Sequence, residues 1–155
     1  MKTIVGMLLF FSLCGLGNAQ SQSENEKFSN RLNEQYDAIS KIQGNVLQML
    51  QEMILEQDRS DGDRIFDTTV HLEANVDALL TLSYIYSDML NNVDKMMVKK
   101  FFNSKCRYTA KDAQMAIDII NKRLSSIQSI ALVNEITKMR DAISNMLQNL
   151  EICKK

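Results

Sequence analysis

Proline and tryptophan are absent from this 155-residue sequence, histidine occurs once, cysteine three times and glycine five times. Three cysteines exclude a disulfide-dense miniprotein, and a single histidine leaves little from which to build a zinc site. With so few turn residues, and no long run beyond residue 29 that alternates apolar and polar side chains, a sheet is excluded as well. Charge of one sign is also lacking. The net charge is −1, so nothing draws the whole chain to nucleic acid, and a mean hydropathy of −0.19 argues against several membrane spans. What remains is a chain of single-domain length, 45% hydrophobic and 24% charged, able to bury a core.

The first long apolar run follows Lys2 and extends from Ile4 to Leu16, ahead of Gly17, Asn18 and Ala19. Small residues at −3 and −1 of a cut before Gln20 are the pattern of a cleaved signal peptide, and the run falls short of the roughly 20 residues a spanning helix needs. Residues 1–19 are therefore expected to be removed and residues 20–155 to form one helical-bundle domain, periplasmic or secreted. Leu13 before Cys14 is too bulky for lipoprotein processing. No asparagine lies in an Asn-x-Ser/Thr sequon. Cys106 and Cys153 are then the thiols of the mature chain, candidates for a disulfide within or between molecules.

Helical periodicity fills the rest. Over residues 24–57 the series Leu32, Tyr36, Ile39, Gln43, Val46, Leu50, Met53 steps by four and three, which keeps one stripe against a partner helix. Residues 60–63 are expected to end it. Residues 63–103 carry two seams, one through Leu72, Val76, Leu79, Ser83, Tyr86, Leu90, Val93 and Met97, the other through Ala78, Leu82, Ile85, Met89 and Met96. Two seams predict a central helix covered on two sides. After a polar, basic connection at residues 103–108, Thr109 and Asp112 resemble a capping box that starts a third helix. Its stripe slips between Ile127 and Leu132, where five residues rotate the apolar face by roughly 140°. The sequence favours an elongated antiparallel three-helix bundle with one long last helix. The alternative is a four-helix bundle in which that helix turns back near residues 125–132 and brings Cys106 and Cys153 to one end.

Material for catalysis is thin. There is no Gly-rich phosphate loop, no Cys-x-x-Cys, no Gly-x-Ser-x-Gly and no His-Glu-x-x-His. His71 has only Asp67 one turn away, and aligning Gly62 with the glycine of a calcium loop puts Gln57 and Arg59 at liganding positions. The expectation is a non-enzyme with no cofactor, no metal and no small-molecule substrate. The ten methionines fall mostly on apolar stripes and read as core. Gln43, inside an apolar seam, either fixes register by a hydrogen bond or sits at its edge.

Two charge clusters stand out. Lys95, Lys99, Lys100, Lys105, Arg107 and Lys111 interleave with Phe101, Phe102 and Tyr108, whereas Glu52, Glu56, Asp58, Asp61, Asp63 and Asp67 face only Arg59 and Arg64. In an antiparallel bundle these segments would be opposite tips, giving the rod an electric direction for self-association or one-ended docking of a protein partner. Contact of the basic tip with a membrane surface is open, and nucleic acid is not expected.

The leader ending Asn18-Ala19 before Gln20 resembles those of Bacteroidetes-type bacteria. The segment Leu82-Ser-Tyr-Ile-Tyr-Ser-Asp-Met-Leu, followed by Tyr108-Thr-Ala-Lys-Asp, is similar to periplasmic helical accessory proteins of conjugative or type IV secretion systems, of minor-pilus or adhesin-like kind. That resemblance covers residues 63–150 and implies an extended bundle serving pilus assembly or contact between cells. The stretch Phe101-Phe102-Asn103-Ser104 is similar to helical cytokines, which implies the alternative of a secreted signalling protein.

Overall fold

The computed structural model describes residues 3–88 and 92–151, with side chains from Glu24 onward except those of Asn92 and Val93. It contains α1 (Thr3–Glu52), α2 (Glu56–Asp88), α3 (Asn92–Leu124) and α4 (Ile130–Leu150). No strand occurs among the described residues. Consecutive helices pack together and α4 closes onto α1, so the helices run up, down, up, down around a square. The three-helix expectation is thereby corrected in favour of the four-helix alternative. Residues 3–19, expected from the sequence to be a leader, form the start of α1, and their side chains, that of Cys14 included, lie outside the described residues.

The slip between Ile127 and Leu132 marks the decisive reversal. Helix α3 ends at Leu124, Ile127 is buried in the turn, and Ser129 caps α4 by accepting a hydrogen bond from the Leu132 amide. From there Leu132, Ile136, Met139, Ile143, Met146 and Leu150 are all buried, as their four-and-three spacing requires. The α1 stripe behaves the same way: Leu32, Ile39, Gln43, Val46 and Leu50 are buried, and Tyr36 and Met53 half-buried.

Two expectations fail for one reason. Residues 103–108 are not a connection, Thr109 and Asp112 do not start a helix, and α3 runs unbroken through them. Thr109 is fully buried and donates to the Lys105 carbonyl at 3.0 Å, a bond made inside a helix. The inward seam here is Phe102, Cys106, Thr109, Ala113, Ala116 and Ile120, all buried. It keeps the heptad step, but with small side chains that a search for large apolar residues passes over. The small residues instead let a neighbouring helix approach closely.

Residues 60–63 are likewise not an end. The first break lies at residues 53–55, where Arg59 Nε donates to the Leu50 carbonyl at 3.3 Å and so satisfies a free acceptor at the end of α1. Gly62 is helical and packed: a Cβ there would collide with Leu50 Cδ2 and come within 3.5 Å of Leu132 Cδ2. The second seam of residues 63–103 is not covered either. Ala78 and Leu82 are half-buried and Ile85 and Met96 are exposed, while Met89 lies outside the described residues. In a square each helix occupies a corner, and none is central.

Helix α4 has 21 residues and α3 has 33, about 31 Å against about 49 Å at 1.5 Å per residue. The C-terminal end of α4 reaches only the middle of α3, where the Leu150 carbonyl oxygen lies 3.8 Å from Cys106 Sγ. The first turns of α3 extend past it.

Candidate functional site

Two of the six acidic residues, Asp58 and Asp61, form a structural clasp, which corrects in part the reading of that segment as a charged tip. Asp58 is fully buried, and its two carboxylate oxygens accept the backbone amides of Gln128 at 2.9 Å and Ser129 at 2.8 Å. One α-helical turn later Asp61, also buried, accepts from Gln57 and Ser126 and pairs with Arg123. Hydrogen bonds from Ser126 and Gln57 outweigh the cost of burial and hold the Asp61 carboxyl below its ordinary value, with Arg123 adding to the effect. These two side chains tie the start of α2 to the α3–α4 turn. Glu52, Glu56, Asp63 and Asp67 remain exposed.

The basic-aromatic set lies along the flank of α3 rather than at a turn, and it divides by burial. Phe102 is 9% exposed and packs edge-on to Phe28, with ring centroids 5.6 Å apart, and parallel to Tyr86 at 6.1 Å. Lys95 caps this cluster with its ammonium 5.3 Å above the Tyr86 ring. Lys105 is turned inward to the Asn75 side-chain carbonyl, and the Asn75 amide donates to Asp112. That stitch between α2 and α3 has no apolar signature in the sequence. Phe101 at 64%, Tyr108 at 63%, Lys99, Lys100, Arg107 and Lys111 remain exposed. Ser104, Arg107, Tyr108 and Lys111 line a shallow groove.

One helical face gathers the exposed part. Met97, Phe101, Tyr108 and Met115 are spaced by four, seven and seven residues and are each more than half exposed, so they stand in one line along α3. The seam spacing predicts Met97 to be buried, whereas it is exposed, and Met115 belongs to neither predicted seam. Their spacing from Phe101 and Tyr108 was the available signal.

Cys106 is disulfide-bonded and fully buried. Its candidate partner Cys153 lies outside the described residues. Gln43 is buried between α1 and α2 near Glu73. Ser40 and Gln43 favour the charged carboxyl, yet the geometry leaves Gln43 Nε2 and Glu73 Oε1 without a hydrogen bond, and burial raises the Glu73 pKa above its ordinary value. His71 is exposed, and among the described residues no three His, Cys, Asp or Glu side chains are grouped to hold a metal. No described helix is long and apolar enough to cross a membrane. Compared with known proteins, the chain matches no family model, no curated protein and no solved structure.

Proposed function

We propose that this chain is an exported, non-catalytic contact protein whose working surface is the exposed flank of α3. The observation that carries the reading is the Met97, Phe101, Tyr108 and Met115 stripe bordered by Lys100, Arg107 and Lys111, all solvent-facing on a helix whose opposite side is core. Contiguous apolar surface of this kind, rimmed by charge, is what protein-binding sites expose. A role in conjugation or type IV secretion, as the resemblance implies, would use such a surface for assembly. The signalling alternative draws less support. Helical cytokines join their helices by long crossovers, whereas at most five residues separate successive helices here.

The test is site-specific photo-crosslinking in producing cells, with the probe at Phe101 or Tyr108 and, for comparison, at the exposed Ala131 of α4. Adducts from the α3 positions alone are the expected result. Adducts only from α4 would reject this surface, and substrate turnover by purified protein would reject the non-catalytic reading. Charge reversal at Lys99, Lys100, Arg107 and Lys111 should abolish the adducts while helicity is retained.

A further inference from the structure

The α3 stripe has a counterpart on α2. Ala74, Ala78, Leu82 and Ile85, spaced by four, four and three, are exposed or half-buried and lie along the side of α2 that turns outward beside α3. Asn75, bonded to Lys105 and Asp112, marks the seam between the two helices. The two stripes flank that seam, and together they form one two-helix face.

The charges of this face are sorted by edge. Helix α3 carries eight lysines and arginines against three aspartates, and α2 carries eight carboxylates against two arginines. On the edge of α3 away from α2 stand Lys100, Arg107, Lys111 and Lys122, and on the edge of α2 away from α3 stand Asp63, Asp77 and Asp88, all exposed. The face is apolar in the middle, basic along one side and acidic along the other.

We propose that its occupant is a second copy of this chain, related by a twofold axis parallel to the helices; the proposal rests on the reading of α3 as the contact surface. Such a rotation lays α3 of each copy over α2 of the other. Apolar stripes meet in the centre, and the basic edge meets the acidic edge twice. The rotation also preserves level along the bundle, which the contacts of Asn75 with Thr109 and of Asp61 with Arg123 fix. Asp77 then falls opposite Arg107 of the other copy, and Asp63 opposite Lys122. A face two helices wide and about 49 Å long offers roughly 1,000 Å² at the usual helix diameter, enough for the ~800 Å² per partner of a stable interface. An anionic membrane would match only the α3 half and repel the α2 edge.

Sedimentation of the purified chain tests this. The expected result is a dimer whose dissociation rises with salt. Arg107→Asp and Asp77→Arg, each made alone, should weaken it about tenfold or more, since each places two like-charged pairs across the interface. Mixing the two single variants should restore dimers, because each pairing is then again between opposite charges, and the double variant should also dimerise. A chain that stays monomeric at high micromolar concentration overturns the proposal, as does a dimer indifferent to both variants, or a mixture that fails to recover. If photo-crosslinks from Phe101 to another protein persist while the chain is monomeric, the contact surface stands and only the second copy is lost. Binding to anionic vesicles by a monomer would equally overturn it.

Discussion

The two ends of the α2–α3 pair solve opposite problems. At one end, buried Asp58 and Asp61 find every partner within the chain: two backbone amides, Gln57, Ser126 and Arg123. At the other, where α3 extends past α4, Phe28, Tyr86 and Phe102 close the interior while Met96, Met97 and Phe101 are left to solvent. At the acidic end the two buried carboxylates are occupied with holding the fold. The aromatic end has apolar and cationic groups left over. Charge in a sequence therefore says little about surface until its partners are known.

The largest expected effect lies between those ends. Leu150 beside Cys106 leaves Cys153 three residues away, so peptide mapping of the disulfide is expected to join 106 to 153, and Cys106→Ser should cost about 2–4 kcal/mol by thermal unfolding. A pair with Cys14, or one between chains, would break the account of how α4 is anchored. Phe102→Ala removes a ring packed edge-on to Phe28 and parallel to Tyr86 and should cost about 3 kcal/mol, read by denaturant titration. At the clasp, Asp58→Ala should cost about 2 kcal/mol, with hydrogen exchange accelerated first at the Gln128 and Ser129 amides.

Acid should distinguish the clasp from the α1–α2 seam by sign. Asp61 has a lowered pKa when folded, so its stabilisation is present above its unfolded pKa and is lost as pH falls through the lower folded value. Glu73 has a raised pKa, so its contribution is most favourable below its unfolded pKa and is lost as pH rises through the higher folded value. Asp61→Asn should flatten the acid limb of the stability profile, and Glu73→Gln should raise stability near neutral pH. The smallest effect is expected from Phe101→Ala, within about 0.5 kcal/mol, although it is the immediate neighbour of Phe102. A large loss there would mean that the two rings are not divided between surface and core.

Much of the fold was legible where the core is built from large side chains. The stripes from Leu32 to Leu50 and from Leu132 to Leu150 are buried as spaced, apart from half-buried Tyr36, and the slip after Ile127 coincides with the turn. Helix α3 was misread because Cys106, Thr109, Ala113 and Ala116 keep the heptad step without bulk. The polar stitches were invisible for a different reason. Asp58 and Gln128, or Asn75 and Lys105, are far apart in sequence, and a hydrogen bond between them has no periodicity. Of the basic-aromatic set, the residue types and their helical spacing were readable, while the division between buried Phe102 and half-buried Lys105 on one side and exposed Phe101 and Arg107 on the other was not.

By itself the sequence determined that this chain is helical and where most of each helix's apolar face lies, because periodicity is local and each side chain's direction follows from 100° per residue. Only the tertiary structure decided how many helices there are, which charges are consumed in holding turns, and which aromatic side chains stay outside. Those outcomes depend on what lies across from each residue once the chain has folded back, and sequence distance does not record it.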